Sequence, residues 1–260
     1  MIVSAKKARS FTLRLSTSDA SFLYLETASG PMHISSVHVL EGELTFEEVH
    51  AHFAARMHLL PSYRRKLAQV PFNIAHPTWV DDPDFDLANH LIHQPVPADT
   101  SLPEAIDLAV HLNEPMLDRS RPLWKSCIIT GVPGYTVMLH AVHHCMIDGA
   151  SGMELLAIIY DFDPAGDPIK EAGQPWNPET PPSAGELFNE ALSENLQDLV
   201  HTDWSEYLVT KPDQRHLLQR ASKVVTDFFS KPVVTAPFNA GVVGPRRRLS
   251  WISLPFDELR

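Results

Sequence analysis

The chain has 260 residues, of which 44% are hydrophobic and 20% are charged. This composition is typical of a folded protein with a large core, in one large domain or two small ones, and it excludes an intrinsically disordered chain. The formal net charge of -11 argues against nucleic acid as the main partner and against tight electrostatic docking on an anionic membrane.

The cysteines and the hydropathy indicate in which compartment the protein is expected. Cys127 and Cys145 form neither a disulfide framework nor a metal-binding spacing, which favours a reducing compartment. No apolar run approaches the roughly 18 residues that a membrane-spanning helix needs, and no signal-peptide pattern is visible. We therefore expect a cytoplasmic protein.

Residues 1–115 alternate between helical and strand patterns. Apolar residues recur at helical spacing behind two capping-box pairs, in which a Ser or Thr is followed three residues later by Glu. The predicted elements are a short helix over 19–25 capped by Ser18, strands over 32–40, 78–80 and 86–93, and helices that begin at the pairs Thr45–Glu48 and Ser101–Glu104.

Residues 124–143 predict a β-hairpin. A strand over 124–129 is followed by a turn over 130–134 that contains two glycines and a proline, and a strand rich in Val, Leu and Met then begins at Tyr135. The hairpin brings Trp124 close to the end of the second strand. Trp124 and its neighbour Leu123 also fit a simpler interpretation as core residues.

Two adjacent histidines, His143 and His144, end that strand, and Asp148 and Gly149 follow in the next turn. Because side chains alternate along a strand, only one imidazole can face a given cleft, and we expect the other to donate a hydrogen bond to a backbone carbonyl. A neutral imidazole is the usual general base at neutral pH. Asp148 either orients that imidazole or pairs with an arginine, and Gly149 permits a positive φ or a close backbone approach.

Three interpretations of the histidine pair stay open from the residues alone. A metal site needs three or four convergent ligands, whereas adjacent histidines on a strand diverge. Both rings could instead be hydrogen-bonded in the core, or one could act as a general base. Cys145 follows directly, but nothing in the sequence indicates a lowered thiol pKa, so we interpret it as a small buried residue and not as a nucleophile.

The composition changes in the second half of the chain. Six prolines fall between Pro164 and Pro182, which predicts a linker or surface loop. The helical patterning over 183–230 fits an ordinary amphipathic helix or a lipid-facing one. The densest basic cluster is Arg246, Arg247 and Arg248, and the last residues enter a helical pattern, which indicates a fragment. The predicted segments are 1–161, 162–182 and 183–260.

Four stretches of the sequence carry a resemblance. HHCMIDG at 143–149 matches the HHxxxDG motif of the CoA-dependent acyltransferase superfamily, which includes chloramphenicol acetyltransferase. LDRSRPLW at 117–124, HAVHHCMIDGASG at 140–152 and FNAGVVGPRRR at 238–248 resemble the bacterial wax ester synthase/diacylglycerol acyltransferase family more closely. The opening STSDASFLYLET at 16–27 is similar to the start of that family. The resemblance spans essentially the whole chain.

The resemblance implies an α/β fold of the α+β type. The chain would form a lobe like that of chloramphenicol acetyltransferase, with a mixed sheet flanked by helices, as the first of two lobes with a tunnel between them. The family's Asn-Asp motif belongs to the second lobe and has no counterpart before Arg260. We therefore expect the C-terminal half of the same enzyme as a partner.

The resemblance also implies residue roles. His144 would be the general base that takes the proton from a long-chain alcohol or diacylglycerol, whose oxygen attacks the thioester of a fatty acyl-CoA. Transfer would be direct, without a covalent enzyme intermediate. His143 and Asp148 would be structural, Asp148 through an arginine. The residues expected to shape the substrate pocket are Pro122, Leu123, Trp124 and Gly149, with Met138, Met146, Ile147 and Met153 as candidates for an apolar tunnel.

Binding expectations follow from the same resemblance. Arg246, Arg247 and Arg248 are candidates for the CoA phosphates or for pairing with Asp148, and simple surface charge is the alternative. We expect acyl-CoA as a co-substrate, with no metal and no permanently bound cofactor. Because the substrates are lipids, we also expect transient contact with membrane or lipid-droplet surfaces.

Three other functions stay open. An acyltransferase of the same fold could use a carrier-protein thioester as its donor. A metal hydrolase could use the two histidines as ligands. A lobe without activity could bind acyl chains and show no turnover that depends on His144.

Overall fold

The computed structural model describes residues 13–147, 155–161, 163, 166–169, 175–201, 244–252 and 255. The chain divides into two compact units, one of residues 1–187 with 244–260 and one of residues 188–243. The first unit contains nearly all of the described structure. The predicted segment boundaries and the place of this chain as the first of two lobes stay predictions.

The first unit is built on a four-stranded mixed sheet. Its strands are β1 (His33–Glu41), β4 (Leu91–Pro95), β5 (Trp124–Val132) and β6 (Tyr135–His143), in the order β1-β6-β5-β4. β6 is antiparallel to both β1 and β5, whereas β4 and β5 are parallel. Parallel neighbours need a long crossover, and the helix α3 (Leu102–Leu112) lies in that connection. A separate antiparallel pair joins β2 (Arg65–Ala68) to β3 (Thr78–Asp81).

Helices cover both faces of the sheet. On one face, Ala105 and Ala109 of α3 pack against β5 and β6 residues such as Cys127 and Leu139. On the other face, Phe53 of α2 (Phe46–Arg56) belongs to a cluster with Trp124 and other residues of β5 and β6. This arrangement confirms the predicted mixed sheet flanked by helices. Two further helices are α1 (Thr17–Leu25) and α4 (Ala184–His201), and residues 155–159 are also helical.

Both predicted capping boxes are present, at Thr45–Glu48 and Ser101–Glu104. A third bond of this type caps α4, where the Ser183 hydroxyl accepts a hydrogen bond from the backbone N–H of Glu186 at 3.2 Å. The prediction for α1 was wrong by two residues. Its N-cap is Ser16 and not Ser18, because the Ser16 hydroxyl accepts from the Asp19 backbone N–H at 3.1 Å.

The predicted strand over 86–93 is also shifted. Asp86 accepts a hydrogen bond from the backbone N–H of Ala88 at 2.9 Å and caps a single 3-10 turn over Leu87–Asn89. Aspartate commonly satisfies a nearby backbone donor in this way, in competition with strand formation. The strand β4 therefore begins only at Leu91.

The hairpin of β5 and β6 is present, but its first strand is longer than predicted. The pairing shifts between Ile129 and Val132, where Gly131 has a φ of 98°. A Cβ atom at Gly131 would lie 2.4 Å from the carbonyl oxygen of Val96. Glycine is therefore required both by the left-handed backbone and by the close approach of the neighbouring chain. β6 itself pairs with β1 without a register shift from Tyr135 to His143.

Candidate active site

The two histidines lie where β6 ends and a 3-10 turn over His144–Met146 begins. The backbone N–H of His143 donates to the carbonyl of Leu123 at 2.9 Å, and that of His144 donates to the carbonyl of Met32 at 2.8 Å. The chain is thus held from β5 on one side and from the start of β1 on the other. This anchoring fixes the backbone from which both imidazoles project.

The His143 side chain is fully buried, with 0% of its surface exposed. Its Nδ1 accepts a hydrogen bond from the backbone N–H of Cys145 at 3.1 Å, and its Nε2 lies 3.5 Å from Oε2 of Glu26. The expectation that the structural histidine donates to a backbone carbonyl was wrong for His143. The turn after the strand presents a backbone donor to the ring, and a carboxylate occupies its other side.

Glu26 is the C-cap residue of α1, and its side chain is fully buried. One carboxylate oxygen accepts from the backbone N–H of Met32 at 2.9 Å, and the other accepts from Nη2 of Arg119 at 2.8 Å. Burial raises the pKa of Glu26, but the hydrogen bonds from Met32 and Arg119 and the positive potential of His143 and Arg119 outweigh it, so the net pKa is lowered. Glu26 is therefore an ionised carboxylate inside the protein.

The surroundings of His143 act on its pKa in opposite directions. Burial lowers the pKa most strongly, the nearby Glu26 carboxylate raises it, and the Arg119 guanidinium lowers it again. The net result is a pKa below the ordinary value, so the ring is neutral near neutral pH. With Nδ1 accepting from Cys145, the single proton of that neutral ring belongs on Nε2, the nitrogen that faces Glu26.

His144 has different surroundings. Its ring is partly exposed and stacks on Phe22 of α1, with 3.8 Å between the ring centroids and 9° between the planes. Nδ1 of His144 is buried and has no hydrogen-bond partner among the described residues. The stack on Phe22 holds the orientation of the ring.

The residues of the Pro122–Leu123–Trp124 stretch lie in the core. Leu123 is 0% exposed and belongs to a cluster with Leu23 and Cys145, whereas Trp124 belongs to the cluster on the α2 face. The indole N–H of Trp124 donates to the carbonyl of Tyr63 at 2.9 Å. Leu123 lies next to the histidine turn, because its carbonyl accepts the hydrogen bond from the backbone N–H of His143. Whether they shape a substrate pocket stays a prediction.

Several predicted site residues can be placed only in part. Asp148, Gly149 and Met153 lie outside the described residues. Met138 is buried in the core on the α2 face, and Met146 and Ile147 are partly buried against it.

Two of the three basic residues at 246–248 line a cleft of about 300 Å³ between β1 and the end of α3. Arg247 holds its segment in place, because its backbone N–H donates to Glu114 at 2.9 Å and its guanidinium donates to the carbonyl of Ser29 at 3.0 Å. Arg248 is exposed, lines the cleft, and makes no hydrogen bond or ion pair with any described residue. Arg246 is exposed and does not line the cleft.

The thiol next to the pair is not an activated nucleophile. Cys145 is buried, and burial raises its pKa to about 12, so the sulfur is protonated at neutral pH. Within the described ranges, no group of three or more His, Cys, Asp or Glu side chains converges on one point. None of the described helices is both long and apolar enough to cross a membrane.

Sequence reasoning missed Glu26 and Arg119. Both residues stood in the quoted motifs, Glu26 in the opening stretch and Arg119 in LDRSRPLW. They are 93 residues apart, and no local spacing rule connects them. The available signal was that each motif contains a charged residue to which the proposed chemistry gave no role.

The family model and the curated relatives indicate one family. The family model described as "Wax ester synthase/diacylglycerol acyltransferase catalytic domain" matches residues 15–260. The Mycobacterium tuberculosis protein Rv3087, provisionally named a diacylglycerol O-acyltransferase, is 29% identical over 95% of this chain and 53% of its own length. The tgs3 protein of the same species, with a similar name, is 30% identical over 70% of this chain and 68% of its own length.

Solved structures also resemble the chain. The wax ester synthase/diacylglycerol acyltransferase from Marinobacter aquaeolei VT8 is 22% identical, with a TM-score of 0.44 over 55% of this chain and 37% of that one. The starter condensation domain of rhizomide synthetase RzmA is 14% identical, with a TM-score of 0.44 over 56% of this chain and 36% of its own. The present chain spans about half the length of the first curated relatives that it matches.

Proposed function

Because this chain belongs to the wax ester synthase/diacylglycerol acyltransferase family, we propose that it carries the general base of an O-acyl transfer from fatty acyl-CoA to a hydroxyl group. The base is His144, acting through Nε2. The observation that carries the proposal is the contrast within the pair. His143 is fully buried, with Nδ1 hydrogen-bonded and Nε2 facing the Glu26 carboxylate at 3.5 Å, whereas His144 is partly exposed and stacks on Phe22.

The reaction needs one proton transfer and one acyl transfer. Nε2 of His144 removes the proton from the acceptor hydroxyl as the oxygen attacks the carbonyl carbon of the thioester. The tetrahedral intermediate then collapses, the carbon–sulfur bond breaks, and the imidazolium returns the proton to the leaving CoA thiolate. The products are the ester and free CoA. No enzyme nucleophile takes part, which agrees with the protonated, buried thiol of Cys145.

The proposed acceptor is diacylglycerol, because both curated relatives carry that acceptor in their names. A long-chain alcohol is the second candidate, since the family description includes wax ester synthesis. We propose that the C-terminal half of the enzyme completes the tunnel and contributes to the choice of acceptor. Asp148 and Gly149 keep their proposed roles in the turn that follows the base.

The test is release of CoA thiol from palmitoyl-CoA, measured with this chain together with its C-terminal half. Diacylglycerol, hexadecanol or no acceptor is added. We expect release to require an acceptor and to fall about 10²- to 10⁴-fold in His144→Ala, the usual contribution of general-base catalysis. The matched control is His111→Ala, which changes an exposed histidine on α3. Full activity in His144→Ala would show that another group is the base.

We also propose transient contact with lipid surfaces, supported by large apolar side chains that are exposed on α1 and between β2 and β3. Tyr24 and Leu25 of α1 are 60% and 64% exposed, and Phe72 is 86% exposed on a loop where its own φ is 59°. The test is flotation with neutral liposomes at physiological salt. We expect partial co-flotation that decreases in Phe72→Ser, and absence of co-flotation of the wild-type protein would contradict the proposal.

A further inference from the structure

An ion pair between a buried carboxylate and a partly exposed guanidinium touches the histidine turn. The Glu26 carboxylate and the Arg119 guanidinium meet at 2.8 Å, and Arg119 also donates to the carbonyl of Leu23 at 2.7 Å. Removing a carboxylate from water is costly, and an apolar side chain could fill the Glu26 position without that cost. The pair therefore requires an explanation beyond stability.

The same helix contacts both imidazoles. Phe22 and Glu26 are four residues apart, so they lie on one face of α1 and its C-terminal end. Phe22 stacks on His144, and Glu26 faces His143. Arg119 ties the end of this helix to the loop before β5 through two acceptors, Glu26 and the Leu23 carbonyl. The ion pair thus fixes the position of the helix against the histidine turn.

The carboxylate also selects a tautomer. Nε2 of His143 faces a negative charge, which favours a proton on that nitrogen and leaves the Nδ1 lone pair open. Nδ1 then accepts the backbone N–H of Cys145, which belongs to the turn that carries His144. With the proton on Nδ1 instead, two donors would face each other and this bond would be lost. The turn would then lose the contact that ties it to the end of β6.

We propose that Glu26, held by Arg119, is a positioning residue for the general base. It fixes His143 as the Nε2–H tautomer, and His143 in turn holds the turn that places His144 against Phe22. The proposal rests on His144 being the base, but its structural part concerns His143 alone and can be measured without turnover.

The first experiment measures the tautomer. Long-range ¹H–¹⁵N spectra of the histidine side chains distinguish the two neutral forms, and His143→Gln identifies the signal. We expect the Nε2–H form for His143 in the wild-type protein. In Glu26→Gln the shape is kept and the charge is lost, so the amide can donate to Nε2, and we expect a shift towards the Nδ1–H form. A wild-type His143 in the Nδ1–H form would overturn the proposal, whatever the variant does.

The second experiment measures turnover in the complete enzyme. We expect Glu26→Gln to lower kcat on the order of 100-fold, the loss that a displacement of about 1 Å produces at a catalytic group, with little change in KM. Glu26→Asp keeps the charge and should recover part of the loss. The matched control is Asp81→Asn, which removes the partner of Arg65 at 3.2 Å in the β2–β3 pair and should leave kcat unchanged.

The outcomes separate the two proposals. An unchanged tautomer together with an unchanged kcat in Glu26→Gln would overturn the positioning role. Full activity of His144→Ala would overturn the base assignment, and the tautomer of His143 would still report whether Glu26 selects it. A loss of kcat in Asp81→Asn equal to that in Glu26→Gln would mean that general destabilisation explains both.

Discussion

Two buried histidines three residues apart on β6 have opposite surroundings. On the α2 face, His140 is bonded by neutral groups only: its Nδ1 lies 2.6 Å from the Ser126 hydroxyl, and its Nε2 lies 2.9 Å from the Tyr63 hydroxyl. On the other face, His143 meets the Glu26–Arg119 ion pair. Both rings are neutral near neutral pH, since burial lowers both pKa values.

The difference between the two histidines is the charge beside the ring. The His140 network satisfies every polar atom of the ring with groups that carry no charge, so it can join β5, β6 and the Tyr63 segment at small cost. The His143 cluster buries the charge of the Glu26 carboxylate, which lies 3.5 Å from the ring. A charged cluster is the more costly arrangement, and it lies next to the partly exposed His144.

The larger expected effect is on the pH dependence of the free energy of unfolding. Burial lowers the pKa of His140 to about 3, so this ring stays neutral in the folded chain while it charges in the unfolded chain below about pH 6.5. The unfolded state then binds more protons, so stability is fully present above about pH 6.5 and is lost as the pH falls. We expect His140 alone to remove about 2 kcal/mol of unfolding free energy between pH 7.5 and pH 5.

The measurement is urea unfolding across that range, with His140→Gln as the test and the exposed His111→Gln as its control. Below pH 6.5, the unfolding free energy of the His140 variant should fall less steeply with decreasing pH than that of the wild type, by about 1 kcal/mol per pH unit. This difference in slope does not depend on the absolute stability of the variant. His143 contributes in the same direction, since its pKa is also lowered. An identical slope in wild type and His140→Gln would contradict the assignment of His140 as a buried neutral ring.

The smaller expected effect is on the KM for palmitoyl-CoA and concerns the exposed guanidinium of Arg248. Arg248 lines the cleft and has no partner among the described residues, whereas Arg119 is paired with Glu26. We propose that it contacts a CoA phosphate. Arg248→Gln should then raise KM for palmitoyl-CoA by a few-fold, about the 1 kcal/mol of an exposed ion pair, and leave kcat unchanged.

The control for Arg248 is a change of substrate. The thioester palmitoyl-N-acetylcysteamine lacks the nucleotide phosphates, so its KM should be the same in wild type and in Arg248→Gln. Equal increases for both thioesters would contradict a phosphate contact. Arg246→Gln serves as the matched surface variant, because Arg246 is exposed and lies outside the cleft.

The sequence predicted correctly those elements that interactions between residues close in the chain determine. The boxes at Thr45 and Ser101 and the β5–β6 hairpin were readable because donors and acceptors only a few residues apart decide them. The N-cap of α1 was misplaced, since both Ser16 and Ser18 precede the apolar residues and only the folded backbone selects between them. The Asp86 turn was missed because the apolar residues around it also fit a strand.

Of the candidate site, the sequence identified only the residues that belong to a recognisable motif. The HHxxxDG pattern identified His143 and His144, but the partner of His143 is Glu26, which lies beyond any helical or strand period. Its position depends on the whole path of the chain from α1 through the sheet to β6. Sequence patterns describe neighbours along the chain, and this contact joins residues that only the tertiary fold makes neighbours.

Met32 shows that part of this site is held together by backbone groups alone. Its backbone N–H donates to Glu26, and its carbonyl accepts from the backbone N–H of His144, so one residue links the carboxylate to the proposed base. Neither bond uses the methionine side chain. An alanine scan would therefore pass over this link, and evolution is free to change the side chain at position 32 while the connection persists. Only a residue without an N–H, such as proline, would remove it.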